Sequence, residues 1–477
     1  SSQLWIILSN VYGQLLVVLM IALCLAEVMD TPVPLLSLQS LFYLQGIFLM
    51  YLYFVIMSLY ERIFGLATLV FNGLEMAMHS MMQGTECLSD VVFVHPVLHG
   101  LFTFLQMHFL FVNSQVLVER FGLVARFGFI HLAATNIAVW FRLVIWDSAQ
   151  EWTYFVHLAQ RGFPESLIRH TRDLPISDEQ ISQVIALQEC LNTNTLGQLW
   201  TSSMPFLYPF IVQFSLIAAA VTFVMGQNVG RNRLHKQKFH GSKDLTSHTK
   251  VGCDGSSKGL FLGILCMVAG IVVILIFLVV REDQHFPSST LSWLTCGTLT
   301  SILTLSTLMT ASGLIQVRQM SVVIRAPAIL DSLLSNVALF GVQLYSIFTI
   351  NENNETRGRH IMLLTASILQ LIQCFAQSTL IAEASKRSCI TRFQIIAKPA
   401  RQVITFLLFS NSVLWAFDTV VTQNWISQEL QLRFFGVLAW GVISRIGLPL
   451  LIFYRFHSCV LLLEAWNKCY RMPRGEH

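Results

Sequence analysis

The chain is built from long apolar runs separated by short polar stretches. A helix that crosses the hydrocarbon core of a bilayer needs about 20 consecutive, mostly apolar residues. Runs of this length fall close to residues 5–28, 37–59, 62–81, 92–114, 123–146, 203–226, 258–280, 290–313, 326–350, 360–383, 402–422 and 434–458. They do not alternate between polar and apolar positions, as the strands of a membrane β-barrel do. The pattern therefore predicts an all-α polytopic membrane protein with twelve transmembrane helices.

Composition supports a lipid environment. Apolar residues make up 54% of the 477 residues and charged residues 12%, against about 25% charged residues in soluble domains. These values exclude a soluble enzyme, a disordered protein and a disulfide-rich secreted module, and a net charge of +4 is too small to indicate nucleic-acid binding. The sequence has no P-loop, zinc-protease, paired-cysteine or nucleophile-elbow motif, so we predict neither an enzyme nor a cofactor or metal site.

The distribution of basic residues predicts the orientation. The linker 229–257 is rich in Lys and Arg, whereas the segment 147–202 is rich in Asp and Glu. Basic loops of membrane proteins face the cytosol, which places the linker and both termini inside the cell and 147–202 outside. The glycosylation acceptor at Asn354 then lies outside, as it must. Cys87 and Cys190 also lie in predicted outer segments, and whether they pair is left open.

The sequence contains an internal duplication. Spans four to six contain, in order, Gln, Arg, Asn, Trp, Pro and an aromatic residue. The same order occurs in spans ten to twelve, with the same Arg–Asn–Trp intervals. The matched pairs are Gln106 and Gln377, Arg126 and Arg401, Asn136 and Asn411, Trp140 and Trp415, Pro209 and Pro449, and Phe214 and Tyr454. Because six is even, the halves share one orientation. We predict an N half, 1–228, and a C half, 258–477.

The duplicated polar positions suggest proton movement. Gln106, Asn136, Gln377, Asn411 and Tyr454 lie at membrane depth. Amide and phenol groups donate and accept hydrogen bonds without carrying charge, so they could hold a short file of water along which protons hop. The alternative is that these amides lock helices together, at about 0.6 kcal/mol per bond. The residues alone favour neither reading.

Ionisable residues in the spans are further candidates. The buried acids are expected to be Glu27, Glu75 and Asp331, although Asp331 could simply begin its helix. Histidine changes charge near neutral pH, and a group of histidines at the outer ends of spans could sense external acid: His79, His95, His99, His285 and His360. His457 could accept protons on the exit side or be a packed helix-end residue. Arg455 is expected to anchor span twelve at the cytosolic interface.

Several segments resemble the otopetrin family of proton channels. They are Phe104-Leu-Gln-Met-His-Phe-Leu-Phe111, Ala125-Arg-Phe-Gly-Phe-Ile-His-Leu-Ala-Ala-Thr-Asn136, Tyr208-Pro-Phe with Ser215-Leu-Ile217, Gly259-Leu-Phe-Leu-Gly263, Lys398-Pro-Ala-Arg-Gln-Val-Ile404 and Phe453-Tyr-Arg-Phe-His-Ser458. The resemblance implies two six-helix barrel-like halves, a homodimer, lipid or sterol in a central cavity, and a proton current evoked by extracellular acid at the plasma membrane. It also implies a polar triad at Gln106, Asn136 and Phe214, and at Gln377, Asn411 and Tyr454.

The N half departs from the family pattern. Glu-Tyr-Ser-Leu-Ile is replaced by Gln213-Phe-Ser-Leu-Ile217, and Met-Trp-Lys-Asn by Met225-Gly-Gln-Asn228. An amide such as that of Gln213 cannot take up and release a proton. Either the N half conducts poorly, or a path through the C half or between the halves carries the current. A proton-coupled secondary transporter and a non-conducting membrane scaffold remain the alternative functions.

Overall fold

The computed structural model describes the greater part of the chain. The described residues are 2–30, 62–81, 94–112, 122–160, 195–228, 256–280, 287–323, 329–346, 357–424, 427–428, 431–432, 435 and 437–470. The predicted span 37–59, nearly all of the basic linker, and Cys87, Cys190, His285 and Asn354 lie outside these ranges.

The described chain is almost entirely helical. The helices in the first part are α1 (Ser2–Asp30), α2 (Arg62–Met81), α3 (Val94–Val112), α4 (Gly122–Gln160) and α5 (Thr195–Asn228). Those in the second part are α6 (Ser257–Val280), α7 (Ser288–Val317), α8 (Ile329–Tyr345), α9 (Arg357–Ser385), the short α10 (Arg392–Ala397), α11 (Arg401–Phe417) and α12 (Val437–Cys469). Apart from α10, each overlaps one predicted span.

Seven of the described helices contain stretches that are long and apolar enough to cross a membrane. They cover Arg126–Ile145, Leu207–Gln227, Ser257–Val280, Ser289–Val317, Ile361–Ser385, Arg401–Thr422 and Ala439–Cys469. Because apolar side chains such as Phe261 and Val279 are largely exposed on α6, the outer surface of this helix suits hydrocarbon. The chain is an all-α polytopic membrane protein.

Three helix ends lie well beyond the predicted ends of the spans. α4 continues past 146 to Gln160, α5 begins at Thr195 rather than near 203, and α12 continues past 458 to Cys469. The polar segment 147–202 is therefore helical at both of its ends. Hydropathy marks where a helix leaves lipid, whereas backbone hydrogen bonds continue for as long as the residues tolerate helical geometry. The two boundaries need not coincide.

The molecule divides into two compact units. One contains Ser1–Asp244 with Phe435–Arg445, and the other contains Leu245–Phe434 with Ile446–His477. In the first unit α4 packs on α1 and α5, and α2 packs on α3 and α5. In the second unit α11 packs on α6 and α7, and α9 packs on α7 and α8. The pairs α1–α4 and α2–α3 are thus matched by α6–α11 and α8–α9, at the six-span offset of the duplication.

Glycine allows a very close approach of α6 to α11. A Cβ atom on Gly259 would lie 2.0 Å from the backbone oxygen of Gln402, and one on Gly270 would lie 2.3 Å from Cγ2 of Val413. Small residues permit this kind of contact between membrane helices, where packing replaces the hydrophobic effect as the driving force. The contact fixes α11, which carries Asn411.

The connection between α9 and α11 is held by hydrogen bonds, in part to the segment that follows α7. Two short strands, β1 (Ser321–Val322) and β2 (Arg387–Ser388), pair in antiparallel fashion, with Ser321 opposite Ser388. The short helix α10 follows β2 and begins with a capping box formed by Thr391 and Gln394. This small substructure lies where the carboxyl ends of α7, α9 and α12 meet the amino end of α11.

Candidate functional site

Three helices of the second unit bring the C-half triad together. Gln377 on α9, Asn411 on α11 and Tyr454 on α12 are all buried. Asn411 Nδ2 donates to Gln377 Oε1 at 2.7 Å, and Gln377 Nε2 donates to Asn411 Oδ1 at 3.1 Å. Gln377 Nε2 also lies 3.5 Å from the hydroxyl of Tyr454. The sequence placed these side chains on different spans, and the fold makes them direct neighbours.

The phenol of Tyr454 is held by α9. Its hydroxyl donates to the carbonyl oxygen of Cys374 at 2.7 Å and lies 2.9 Å from Oγ of Ser378. Asn411 Nδ2 is anchored in addition by the carbonyl of Leu407, one turn earlier on α11, at 2.7 Å. Tyr454 and Asn411 therefore have defined orientations, because each also donates to a backbone carbonyl, whereas Gln377 is oriented by side chains alone.

A buried ion pair extends the triad. Arg455 Nη1 donates to Gln373 Oε1 at 2.5 Å and lies 3.5 Å from Asn411 Oδ1, while Arg455 Nε lies 3.8 Å from Asp418 Oδ2. The other oxygen of Asp418 accepts a hydrogen bond from Thr422 at 2.9 Å. Gln373 Nε2 donates to Gln377 Oε1 at 2.8 Å. One connected array of hydrogen bonds and this ion pair thus joins α9, α11 and α12. We call its members the C-half array: Gln373, Gln377, Asn411, Asp418, Tyr454 and Arg455.

The structure corrects the expectation for Arg455. Its side chain is 0% exposed, so it does not anchor the helix at an interface. α12 continues well beyond it to Cys469. Sequence reasoning noted charged residues in the spans but did not join Arg455 to Asp418. The predicted spans gave no signal for this pair, because Asp418 lies near the outer end of span 402–422 and Arg455 near the inner end of span 434–458. Only the general rule that buried charges are normally paired indicated that each needs a partner.

Asp418 lies at a break in regular helical geometry. α11 ends at Phe417 and continues as a π-helical turn, Asp418–Thr422. Wider turns of this kind occur frequently at functional sites and are less uniformly bonded than an α-helix. The carboxylate therefore sits where the backbone changes its hydrogen-bond pattern.

The N-half triad is not joined in the same way. Asn136 Nδ2 donates to the carbonyl of Leu132 on its own helix at 2.8 Å. Gln106 is fully buried, and neither its Nε2 nor its Oε1 has a hydrogen-bond partner among the described residues. Phe214 and Gln213 are also buried. Phe214 has no hydroxyl to continue an array, so the matched positions of the two halves differ in chemistry.

A different polar cluster occupies the N half. His99 Nδ1 lies 2.9 Å from Asn72 Oδ1, and Asn72 Nδ2 donates to the carbonyl of Thr68 at 2.9 Å. Asn72 Oδ1 is therefore the acceptor, and Nδ1 of His99 carries the proton. Glu75 is buried nearby in the chain, and Arg142 interacts electrostatically with both Glu75 and His99. Sequence reasoning singled out Glu75 and His99, but it missed Asn72 and Arg142.

The remaining predicted site residues are placed as follows. Asp331 is only half-buried in the first turn of α8, so it begins that helix and is not a buried acid. His457 is buried and its ring stacks on Phe453 at a centroid distance of 5.4 Å. The side chains of Glu27, His79, His95 and His360 lie outside the described part, as does all of His285. The sensing role of the histidines stays a prediction, and His99 is enclosed by protein.

The two halves also differ at a matched pair of arginines, Arg401 at the start of α11 and Arg126 near the start of α4. Arg401 is buried beneath Trp466 and Tyr470, with its guanidinium carbon 4.6 and 5.1 Å from their ring centroids. Arg126 instead donates to Gln227 at 3.2 Å. Gly226 and Trp466 are as far apart in the chain as Pro209 and Pro449, so they are counterparts in the two halves. Gly226 therefore stands where the C half has the tryptophan that covers its arginine.

Comparisons with known proteins agree with these features. The sequence model of the family described as Otopetrin matches residues 62–456. Proton channel OtopLc of Drosophila melanogaster is 31% identical over 429 residues, which are 86% of this chain and 27% of the fly protein. Proton channel OTOP2 of Mus musculus is 24% identical over 467 residues, covering 85% of this chain and 80% of the mouse protein. Proton channel OTOP1 of Danio rerio is 28% identical over 207 residues, or 42% of this chain.

The family match spans both halves and includes every residue of the C-half array. The described packing repeats at the six-span offset that the sequence predicts. The relatives are named as channels and not as enzymes, and the chain spans about a quarter of the length of the fly protein but most of the mouse one. This chain belongs to the otopetrin family.

Proposed function

We propose that the protein is a proton-selective channel that carries H⁺ into the cell when the extracellular solution becomes acidic. Its relatives OtopLc, OTOP2 and OTOP1 are named proton channels. The observation that carries the proposal is the C-half array, which joins α9, α11 and α12 by buried hydrogen bonds at membrane depth.

The chemistry of the array favours protons over metal cations. Gln373, Gln377, Asn411 and Tyr454 offer uncharged donors and acceptors, along which hydrogen-bonded water can relay H⁺. Among the described residues, Asp418 supplies the carboxylate of the array, and this carboxylate already pairs with Arg455. A metal cation would need oxygen ligands in place of its hydration shell, whereas Gln377 Oε1 and Asn411 Oδ1 already accept hydrogen bonds from amide N–H groups.

Conduction by this route requires the amides to exchange partners. In the structure the side chains of Gln377 and Asn411 bond to each other through both of their polar atoms. We take this as the closed arrangement. In the open arrangement water replaces the Gln377–Asn411 bonds, and the π-helical turn that begins at Asp418 provides the backbone adjustment. The cost is modest, because interhelical bonds in membranes contribute about 0.6 kcal/mol each.

We assign the larger share of the current to the C half. Relative to the family pattern, Gln213 and Phe214 leave the N half without a carboxylate and a phenol, whereas the C half keeps the phenol at Tyr454. The cluster of Glu75, His99 and Arg142 supplies ionisable groups elsewhere in the N half, so a slower second route through it is compatible with the proposal.

The assembly that we propose follows the family. Twelve spans form two six-helix barrel-like halves of the same orientation, 1–228 and 258–477, joined by the cytosolic linker 229–257. Two such chains form a homodimer with lipid or sterol in a central cavity, in the plasma membrane, with both termini in the cytosol. The basic linker and the acidic segment 147–202 support this orientation.

The experiment that tests the function is whole-cell recording during external acidification, with impermeant ions replacing Na⁺, K⁺ and Cl⁻ and with cytosolic pH monitored. We expect an inward current whose reversal potential follows the proton gradient. Absence of both current and acidification in cells that carry the protein at their surface would leave the scaffold alternative. Saturable, proton-coupled flux of a solute would instead identify a transporter.

A matched pair of substitutions tests the assignment to the C half. Asn411→Ala removes the amide that would hold the water file in the open arrangement, so we expect the proton current to fall by roughly tenfold, which corresponds to about 1.4 kcal/mol in the barrier. Asn136→Ala removes a side chain bonded to its own helix and should reduce the current less than about twofold. Equal losses, at equal surface expression, would refute the assignment.

A further inference from the structure

The short helix α10 is fastened to the protein by its polar side. Gln394 Nε2 donates to the carbonyl of Gln319 at 2.8 Å, and its Oε1 accepts from Ser321 Oγ at 3.1 Å. After the helix, the backbone N–H of Ala400 donates to Gln316 Oε1 at 2.9 Å. The carbonyl of Pro399 accepts from the hydroxyl of Tyr470 at 2.6 Å. α10 is therefore held on the ends of α7 and α12 and is not a loose connection.

Two apolar side chains of α10 face outward, whereas Ile395 packs against the core. Phe393 is 77% exposed and Ile396 is 81% exposed, and Ile390 just before the helix is half exposed. An amphipathic helix on a protein surface in water normally has the opposite arrangement, with apolar residues against the core and polar residues outside. Side chains at i and i+3 share one face of a helix. Phe393 and Ile396 thus form an outward apolar face, the arrangement found in helices that lie in a membrane interface.

Basic side chains border this apolar face. Lys386 and Arg392 are exposed, and Arg318 at the end of α7 is exposed as well. Neither Lys386 nor Arg392 pairs with an acid among the described residues. The neighbouring Arg387 is different, because it is bound to Glu383 at 3.1 Å and to the carbonyl of Met320 at 3.1 Å. Within the described part of the chain, the segment that carries the exposed apolar side chains of α10 therefore also carries two basic side chains without an acidic partner.

We propose that α10, with Lys386 and Arg392, binds an anionic phospholipid of the cytosolic leaflet. Phe393 and Ile396 insert at the boundary between headgroups and acyl chains, and the two basic side chains bind the headgroup. The combination of charge and apolar area identifies a lipid as the occupant, because soluble phosphate would use the charges alone. Anionic lipids are concentrated in the cytosolic leaflet, the side to which the positive-inside pattern assigns this end of the molecule.

The test uses the purified full chain in neutral detergent and does not depend on conduction. The midpoint of thermal unfolding is measured against dioctanoylphosphatidylserine, dioctanoylphosphatidylcholine and inorganic phosphate. We expect phosphatidylserine to raise the midpoint, since a ligand that binds the native state stabilises it. Phosphatidylcholine should raise it much less, and inorganic phosphate should have little effect. Equal shifts with phosphatidylserine and phosphatidylcholine, or with phosphatidylserine and phosphate, would overturn the proposal.

Substitutions locate the site. Each basic residue near an anionic lipid contributes about fivefold in affinity, so the double variant Lys386→Gln/Arg392→Gln should need roughly 25-fold more phosphatidylserine for half of the shift. Phe393→Ser/Ile396→Ser should weaken the response as well. Arg392→Lys should retain it. Lys468→Gln is the matched control, since Lys468 is at the end of α12 and already pairs with Glu464.

The double variants should fold normally, because their side chains are exposed, and their midpoints without lipid check this. An unchanged phosphatidylserine response in both double variants would place the lipid elsewhere and reject α10 as its site. If a variant fails to fold, the comparison of phosphatidylserine with phosphatidylcholine on the unaltered chain still decides whether anionic lipid binds.

Discussion

At the scale of single residues, the main feature is a charged pair that lies entirely inside the protein. Arg455 and Asp418 are both buried, and Arg455 divides its donors between an acid and two amides. Guanidinium stays protonated under all ordinary conditions, so the array always contains a positive charge and needs the compensating carboxylate. In the N half, Phe214 and Ser215 occupy the positions of Tyr454 and Arg455, and Glu75 and Arg142 supply ionisable groups elsewhere.

The buried pair predicts strongly non-additive substitutions. Arg455→Met should lower the free energy of unfolding by about 3–5 kcal/mol, because it leaves the carboxylate of Asp418 buried without its partner. The double variant Arg455→Met/Asp418→Leu should recover most of that loss, since neither charge remains. The measurement is denaturant-induced unfolding in detergent. Losses that simply add, with the double variant less stable than either single one, would contradict this account of the pair.

At the scale of elements, the close contact of α6 with α11 positions the array. α11 carries both Asn411 and Asp418, and the glycines of α6 let the two helices approach until there is no room for a side chain at Gly259. A backbone oxygen, unlike the tip of a flexible side chain, cannot move aside without displacing its helix. The position of Asn411 relative to α9 therefore depends on a residue that has no side chain.

Two glycines form a matched test of this contact. A Cβ atom at Gly259 would lie 2.0 Å from the oxygen of Gln402, whereas one at Gly297 on α7 would meet nothing within 4 Å. Gly259→Ala should therefore destabilise the protein by about 1–3 kcal/mol through overpacking. Gly297→Ala should be neutral or stabilising by up to about 1 kcal/mol, from helix propensity. Thermal unfolding of the two variants compares them, and similar midpoints would show that α6 and α11 are less tightly packed than described.

At the scale of the whole molecule, the topology decides which surfaces meet acid. The proposed orientation places the segment between α8 and α9, which contains Asn354, outside the cell, and α10 inside it. Both assignments follow from the same count of spans and the same positive-inside pattern. A miscount of one span before both segments would place both on the wrong side.

Glycosylation tests this orientation. We expect the chain expressed in animal cells to show a glycosidase-sensitive increase in apparent mass, which Asn354→Gln should abolish. Thr356→Ser preserves the acceptor pattern and is the control that should retain the increase. A chain that reaches the cell surface with no such increase, and whose Asn354 is accessible only after permeabilisation, would have the reverse orientation.

The sequence by itself determined the class of the protein, the positions of most helices and the repeat. Hydropathy is a sum over neighbouring residues, so runs such as 62–81 and 258–280 reveal helices without knowledge of their partners; α2 and α6 begin and end within a residue of those limits. The equal Arg–Asn–Trp intervals paired Asn411 with Asn136, and the order of the flanking spans paired Gln377 with Gln106 and Tyr454 with Phe214. The family comparison confirmed the otopetrin resemblance.

Only the tertiary structure decided which polar residues are partners. The rotation of each helix about its axis and its depth beside its neighbours depend on packing between residues far apart in the chain. Packing placed Arg455 beside Gln373 and Asp418, and it placed Arg142 near Glu75 and His99. It left Gln106 without a hydrogen-bond partner among the described residues. It also turned Phe393 and Ile396 outward. Hydrogen bonds and ion pairs depend on distances between side chains, which a pattern of residue types along the chain does not contain.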